Sequence, residues 1–363
     1  MVARRIPLRV GGDYFPDERK PKQFIPTGCT LLDCILGGGW VLQRVANVVG
    51  DKSTGKTLVA IEACANFARA YPKGRIYYRE AESAFDIPYA GRLGLPEDRV
   101  DFGPEGIDTH WRTIEDVFID LRKVCKWHAA NDAEGLYIID SLDALTSKAA
   151  LARDPGEGSY ALEKQKILGQ LFEQMIGDFK RGNLCLIIVS QVRDKIGYVI
   201  GEKQRRSGGK SLDFYATHIV WLSHIKTLTQ TIRGEKRATG IRVLAHCRKN
   251  KVSVPFRKCM FPVRFGYGID DIQASVEFLV EQGLGDRIGI AKRSKAERAG
   301  EKLKRKGDGG DARPDSAVVK FIQEMEGLPN AEYAKRAEQI RQVVVKAWAD
   351  IEHQFEPVRR KYT

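Results

Sequence analysis

The chain has 363 residues, of which 43% are hydrophobic and 29% charged, and its formal net charge is +13 at pH 7. It has no apolar run near the ~18 residues of a membrane helix and no apolar stretch of a secretory signal, which argues against a membrane or exported protein and predicts a cytoplasmic one. The charge predicts an anionic partner larger than one nucleotide, nucleic acid first, with a basic surface that only aids solubility as the alternative.

Residues 1–24 are predicted to form an extended arm. Prolines and glycines are interspersed with charged residues here, and such a composition can bury little surface. From Ile25 the composition changes: a mostly apolar segment begins and ends in three glycines at 37–39. This pattern predicts a short helix that leads into the first strand of a core domain.

The next segment matches a phosphate-binding loop, or P-loop, at every required position. The pattern G-x-x-x-x-G-K-[ST] lies between a short apolar run and an Ala- and Leu-rich stretch, and it predicts backbone amides that bind the phosphates of ATP at a helix N-terminus. Its members are Gly50, Asp51, Lys52, Ser53, Thr54, Gly55, Lys56 and Thr57. The Lys56 ammonium is expected to reach the β- and γ-phosphates, and the Thr57 hydroxyl to bind Mg²⁺. A chance match to the pattern is the alternative.

Two later strands are predicted to end in acidic residues. The run 75–79 leads into Glu80 and Glu82, and the apolar run 135–139 ends in Asp140. An open α/β sheet places its chemistry at the carboxyl ends of its strands. Glu82 is therefore the candidate for orienting and deprotonating the attacking water, with an exposed loop carboxylate as the alternative. Asp140 is interpreted as the Walker B residue, which binds nucleotide-bound Mg²⁺ through water.

A third apolar strand is predicted from Leu184 to Gln191, after a mobile loop at 147–158 and an amphipathic helix at 160–180. The Gln191 amide is expected to hydrogen-bond the γ-phosphate and to relax after hydrolysis. Residues 193–210 follow, with six basic residues against two acidic ones and interleaved glycines. They predict a flexible loop that binds a nucleic-acid backbone under control of the nucleotide, with a solvated surface loop as the alternative. The candidates in this loop are Arg193, Lys195, Arg205, Arg206, Ser207, Gly208, Gly209 and Lys210.

The remainder of the chain is predicted to add antiparallel strands and helices. Strands are expected at 217–223, 241–247, 252–256 and 261–265, with Lys249 and Lys251 on a turn between them, and His218 and His224 are interpreted as packing residues. Residues 287–306 are strongly basic and predict either a second nucleic-acid contact or a solvated charge run. The segment 331–355 is predicted to be a helix that buries Ile340, Val344 and Phe355 among others. The seven cysteines contain no C-x-x-C pair, which favours reduced core thiols over a zinc site.

Taken together, these motifs resemble the RecA/UvsX-type recombinases of bacteria and their phages, over about residues 25–272. The segments that carry the resemblance are Ile25-Pro26-Thr27-Gly28, the P-loop, Glu80-Ala81-Glu82 with Asp86 and Tyr89, Ile139-Asp140-Ser141, Ser190-Gln191-Val192-Arg193, Ser207-Gly208-Gly209-Lys210 and Lys249-Asn250-Lys251. The implied fold is α/β: a RecA-like P-loop NTPase core at 25–271 with a mostly parallel central sheet, an N-terminal arm at 1–24 that serves oligomerisation, and a small C-terminal helical domain at 272–363.

The resemblance implies a role for each matched residue. Glu82 would be the catalytic carboxylate, Asp86 and Tyr89 would hold the adenine, and Gln191 would couple ATP to DNA. The loops 147–158, which contains Arg153, and 192–210 would bind DNA, and Lys249 and Lys251 would reach the ATP of a neighbouring protomer.

The family also implies cofactors and partners. Its members use ATP and Mg²⁺, polymerise on single-stranded DNA as helical filaments and pair that strand with a homologous double-stranded DNA. Loading mediators or a single-strand-binding protein are further expected partners. The competing interpretations are a hexameric helicase-type motor, and a RecA-fold accessory paralogue that binds DNA without turning over ATP.

Overall fold

The computed structural model describes residues 22–82, 85–103, 111–152, 160–194, 204–206, 209–291 and 316–359. Its strands are β1 (Phe24–Ile25), β2 (Trp40–Val41), β3 (Val45–Gly50), β4 (Arg75–Glu80), β5 (Val100–Asp101), β6 (Gly135–Asp140), β7 (Leu184–Asp194), β8 (Gln204–Arg206), β9 (His218–Ile232), β10 (Glu235–Asn250), β11 (Lys258–Arg264) and β12 (Gly268–Ile269). Its α-helices are α1 (Thr30–Leu36), α2 (Lys56–Ala70), α3 (Ile87–Arg92), α4 (Ile114–Asn131), α5 (Lys148–Leu151), α6 (Tyr160–Arg181), α7 (Gly209–Tyr215), α8 (Asp271–Glu281), α9 (Ser316–Glu326) and α10 (Asn330–His353).

One large sheet organises these elements, with the strand order β12-β11-β10-β9-β3-β7-β6-β4-β5. The strands from β9 to β5 run parallel to one another, whereas β10, β11 and β12 add antiparallel neighbours at one side. Strands β3 and β6 are buried along their whole length, as expected for parallel strands covered on both faces. The predicted α/β class with a mostly parallel central sheet is confirmed.

Alternate side chains of the central strands supply the two faces of the core. Ile138 and Ile187 belong to an apolar cluster that includes α2 and the C-terminal helices, and their successors Ile139 and Ile188 belong to a second cluster with α4 and α6. This alternation follows from the two-residue period of a β-strand. The helices therefore cover both faces of the sheet and leave its carboxyl edge accessible.

The C-terminal helices pack on the first of these faces. Asp271, the first residue of α8, accepts hydrogen bonds from the Thr30 backbone N–H (2.6 Å) and hydroxyl (3.0 Å), and it also pairs with Arg341 of α10 (2.8 Å). Ile340 and Val344 of α10 are buried as predicted. The prediction for Phe355 is wrong, because α10 ends at His353 and the Phe355 side chain is 74% exposed.

The antiparallel side of the sheet differs most from the sequence prediction. The predicted strand at 252–256 is wrong: the Asn250 side chain accepts hydrogen bonds from the backbone N–H groups of Val252 and Ser253 (both 2.8 Å) and turns the chain, and Phe256 has a left-handed φ of +67°. Strands β9 and β10 instead extend to 15 and 16 residues and form a hairpin closed at Arg233 and Gly234. Both turn residues have positive φ, as a type I′ turn requires.

The structure also describes the seven cysteines and the two histidines discussed above. All seven thiols are free, and all except the half-buried Cys34 are buried. His218 is buried with its Nε2 against the Leu36 carbonyl (3.1 Å), and burial lowers its pKa to about 4, whereas His224 is exposed. No helix within the described ranges is long and apolar enough to cross a membrane.

Candidate active site

The carboxyl edge of the sheet brings four predicted motifs onto neighbouring strands. The P-loop follows β3, Gln191 lies on β7, Asp140 ends β6, and Glu82 follows β4; these strands are consecutive in the sheet. In the register of the strands Gly50 lies beside Gln191, and Glu80 lies beside Asp140. Residues far apart in the chain thus line one edge, as the sequence predicted for an open α/β sheet.

The P-loop curls because particular positions adopt left-handed backbone conformations. Gly55, the residue before α2, has a φ of +85°, which favours glycine over any residue with a Cβ. At Gly50 the constraint is space, because an added Cβ would lie 2.4 Å from Thr54 Oγ1 and 3.0 Å from the Leu222 carbonyl oxygen. Lys56 Nζ donates to the Asp51 carbonyl (2.7 Å), so the ammonium lies over the loop. A helix N-terminus with converging amides and an adjacent ammonium is suited to phosphate.

Carboxylate and hydroxyl oxygens lie beside the Lys56 ammonium at this edge. Burial lowers the pKa of Lys56, while the neighbouring carboxylates Asp140 and Glu82 oppose that shift. Burial also raises the pKa of Asp140, against the hydrogen bonds that its carboxylate accepts from Tyr78 and Thr57. Oxygen ligands of this kind suit Mg²⁺, which proteins hold through one or two groups plus the substrate phosphates. Within the described ranges no group of three or more His, Cys, Asp or Glu side chains forms a metal site by itself.

Glu82 makes specific contacts although its side chain is exposed. Its Oε1 accepts a hydrogen bond from Gln191 Nε2 (3.0 Å) and another from the Ser141 hydroxyl, and its backbone N–H donates to Glu80 Oε1 (2.9 Å). The carboxylate is therefore held between Ser141, which follows β6, and Gln191 of β7. Glu82 is exposed and lies after the end of β4, as the alternative of an exposed loop carboxylate also requires, so its catalytic role stays a prediction.

Two further residues fix the turn after β6, and sequence reasoning missed both. Asp143 Oδ2 accepts the backbone N–H of Gln191 (2.6 Å), which ties this turn to β7. Lys164 of α6 donates to the carbonyls of Leu142 and Leu145, the latter at 2.7 Å. No short-range pattern marks either residue, because their partners lie far away in the chain. Tyr78 was missed for the same reason.

The two residues assigned to adenine by resemblance lie after β4. The Asp86 side chain accepts the Tyr89 backbone N–H (2.8 Å) and so caps the N-terminus of α3. Tyr89 is half-buried beside α2, near Glu62, and the Arg92 guanidinium lies 5.5 Å from its ring centroid. An aromatic face beside the P-loop helix suits a base, and the assignment of these residues stays a prediction.

The predicted DNA-binding loops contain more regular structure than the sequence suggested. β7 continues to Asp194 and pairs antiparallel with β8, so that Arg193 lies opposite Arg205 and Val192 opposite Arg206 in the register. α7 begins at Gly209 and includes Lys210. The other segment, 147–158, begins with the short helix α5, capped by Ser147. Arg153, Lys195, Ser207 and Gly208 lie outside the described residues, as do residues 1–21 and the greater part, 292–306, of the basic segment.

Lys249 and Lys251 lie away from the P-loop of their own chain. The prediction that both lie on a turn is wrong for Lys249, which belongs to β10 and pairs with Ile219 of β9, whereas Lys251 follows β10. Both ammonium groups donate to the Phe214 carbonyl at the end of α7, at 3.0 and 2.9 Å, and Lys249 also donates to the Asp213 carbonyl. The Lys251 backbone donates to the Thr217 carbonyl, and the Thr217 backbone N–H donates to Val45, the first residue of β3. The P-loop follows the opposite end of β3, and six residues of strand separate those ends by roughly 16 Å. The structure thus separates these two lysines from the P-loop of the same chain and places them at the end of the helix that begins with Gly209 and Lys210.

Comparisons with known proteins give matches over most of the chain. The family described as RecA N-terminal domain matches residues 15–270. Protein RecA of Mycobacterium ulcerans (strain Agy99) is 32% identical over 278 residues, which cover 76% of this chain and 74% of that protein. Protein RecA of Nocardioides sp. (strain ATCC BAA-499 / JS614) is 31% identical over 288 residues, which cover 78% and 75% of the two chains. The family match contains every motif that the sheet gathers at its carboxyl edge.

Proposed function

The chain belongs to the RecA family, and from this premise we propose that it is a DNA-dependent ATPase that polymerises on single-stranded DNA and catalyses homologous pairing and strand exchange. As a RecA-type recombination protein it binds ATP and DNA. The observation that carries the proposal is the hydrogen bond between Gln191 Nε2 and Glu82 Oε1 (3.0 Å). It joins the candidate catalytic carboxylate to the strand that continues into the candidate DNA-binding hairpin.

In this proposal each site residue has one task in hydrolysis. Bound ATP with Mg²⁺ supplies the γ-phosphoryl group and its high charge. Lys56 and the amides at the start of α2 bind that charge, and Thr57 and Asp140 hold the metal ion. Glu82 orients the attacking water and accepts its proton, while the hydrogen bonds from Ser141 and Gln191 fix the carboxylate.

The same contacts provide a route between nucleotide and DNA. Gln191 is held at its backbone by Asp143 and at its side chain by Glu82, and β7 enters the pairing with β8 at the next residue, Val192. A γ-phosphate that attracts the Gln191 amide away from Glu82 would shift a side chain on the strand that carries Arg193. We infer that ATP and single-stranded DNA favour the same position of this strand, so that each ligand promotes binding of the other.

The partners follow from this function. Single-stranded DNA would be the first ligand, further copies of the chain would assemble along it as a helical filament, and homologous double-stranded DNA would be the second DNA. A single-strand-binding protein or a loading mediator would control access to the first strand.

Electron microscopy with a non-hydrolysable ATP analogue tests the assembly. With single-stranded DNA we expect long helical filaments, and with ADP we expect short ones, because loss of the γ-phosphate contact weakens the interface between protomers. Closed rings under all conditions would instead support a hexameric helicase-type motor. Filaments without DNA-stimulated ATP turnover would support an accessory paralogue.

The β7–β8 hairpin carries a prediction about DNA. Replacing Arg205 and Arg206 with glutamine is expected to weaken binding of single-stranded DNA and to reduce the slope of log affinity against log salt by roughly 0.7 per lost phosphate contact, or about 1.4 in all. The measurement is a titration of fluorescent single-stranded DNA at several salt concentrations. Lys123→Gln with Lys126→Gln, on the exposed surface of α4, removes the same charge elsewhere and is the control. An unchanged slope in the hairpin variant would place the DNA on another surface.

A further inference from the structure

Tyr78 lies inside β4, and its hydroxyl touches the Walker B carboxylate. The side chain is fully buried, and its hydroxyl donates to Asp140 Oδ2 at 2.6 Å. Tyr78 pairs with Ile138 of the neighbouring strand β6 in the sheet register. Its phenol reaches along β6 to Asp140, the last residue of that strand. A hydrogen bond from a hydroxyl to a carboxylate is among the stronger kinds in proteins.

The ring of Tyr78 is itself held by aromatic neighbours. Phe85 makes an edge contact with a centroid separation of 4.6 Å, and Phe102 lies at 6.1 Å. Phe85 and Phe102 also pack against each other at 5.0 Å. A buried ring enclosed in this way has few alternative rotamers. Packing around the ring therefore directs its hydroxyl at Asp140.

The charged form of Asp140 depends on a hydrogen-bond donor more than that of a solvent-exposed carboxylate does. It is buried, and the carboxylates of Glu80 and Glu82 are close enough to act on its charge. Tyr78 and Thr57 both donate to it, so the carboxylate is held by a buried strand residue and by the second residue of α2. Its orientation is therefore set before any ligand binds, which is how proteins hold the groups that contact a metal ion.

We propose that Tyr78 is a positioning residue for the Mg²⁺ of the nucleotide, through the orientation that its hydroxyl imposes on Asp140. This inference rests on the proposed function, because it assigns Thr57 and Asp140 to the metal ion. Tyr78 does not touch the nucleotide, and its effect is transmitted through Asp140. A role confined to core packing would leave the metal dependence unchanged.

Tyr78→Phe removes the hydroxyl and keeps the ring. Its effect is measured as the binding of a fluorescent ATP analogue while Mg²⁺ is titrated. Loss of a group that orients a metal ligand commonly costs 10- to 100-fold in metal affinity, so we expect the Mg²⁺ midpoint to rise by about that factor. Analogue affinity without Mg²⁺ is expected to stay within about twofold of wild type, because the P-loop contacts are intact. A midpoint does not depend on how much of the sample is folded, and assays below the variant's melting temperature keep the comparison valid if stability falls.

Tyr137→Phe is the matched control. Tyr137 is also fully buried, one strand away, and its hydroxyl donates to Asp120 (2.7 Å) rather than to Asp140. Its Mg²⁺ midpoint is expected to equal that of wild type. The inference is overturned if Tyr78→Phe binds the Mg²⁺-loaded analogue with the wild-type midpoint, or if both variants shift equally. Absence of Mg²⁺-dependent binding in wild type itself would instead overturn the proposed function, and this inference with it.

Discussion

Replacing Glu82 with glutamine is expected to reduce DNA-dependent turnover of ATP by about 100- to 10,000-fold, the usual contribution of a general base. Glutamine has nearly the same shape and retains a side-chain oxygen, so it can still accept the hydrogen bonds that Gln191 and Ser141 donate to Glu82. What it loses is the ability to accept a proton from the attacking water. ATP binding and DNA binding should therefore remain close to wild type.

Steady-state turnover of ATP in the presence of single-stranded DNA is the measurement for this variant, together with separate titrations of nucleotide and DNA. Glu332→Gln, on an exposed position of α10, makes the same chemical change far from the carboxyl edge and should have wild-type activity. Lys56→Ala provides a contrast, since it removes a phosphate contact and should weaken nucleotide binding itself. Turnover of Glu82→Gln within a few-fold of wild type would remove Glu82 from the mechanism.

The second large effect is expected at Lys249 and Lys251, which we propose complete the phosphate site of a neighbouring protomer. Both side chains donate to the end of α7, near the start of β3, whereas their own P-loop follows the other end of that strand. Within one chain they therefore cannot reach the phosphates that Lys56 is proposed to bind. Two cations brought to the γ-phosphate from a neighbour would act as an arginine finger does in trans. Replacing both with alanine is expected to reduce turnover on the order of a thousand-fold or more.

Mixing two inactive proteins tests whether these lysines act across an interface. One protein carries Lys56→Ala, and the other carries Lys249→Ala with Lys251→Ala; both are combined on single-stranded DNA. Some junctions then pair an intact P-loop with intact lysines, so part of the ATPase activity should return. Lys335→Ala with Lys346→Ala, both exposed on α10, removes the same charge and should remain active alone. If mixed filaments form and activity stays at zero, the lysines do not act in trans.

The edge of the sheet could be predicted because its determinants are local in the sequence. Strands β3 and β6 and residues 184–190 of β7 are buried and therefore appear as mostly apolar runs, and the P-loop, Asp140 and Gln191 at the ends of these runs mark the site. The P-loop pattern requires glycine at positions 50 and 55. The left-handed backbone conformation of Gly55 explains the requirement at that position.

The residues that sequence reasoning missed depend on contacts between distant segments. Tyr78 lies 62 residues from Asp140, and Asp143 lies 48 residues from Gln191. Neither spacing is visible as a pattern, because it is set by the order of strands in the sheet. The long β9–β10 hairpin was missed for another reason: its outer half is exposed on both faces, so the alternation of apolar and polar residues that identifies a half-buried strand is absent.

We propose that this protein pairs a single strand with a homologous duplex, and a fluorescence strand-exchange assay tests this activity most directly. The protein is assembled on single-stranded DNA with ATP and Mg²⁺, and a duplex carrying a fluorophore and a quencher on its two strands is added. We expect the fluorophore to separate from the quencher when the duplex is homologous, and to stay quenched when the duplex is heterologous or when ADP replaces ATP. Equal separation of homologous and heterologous duplexes, or no separation on DNA that is fully covered by protein, would contradict the account.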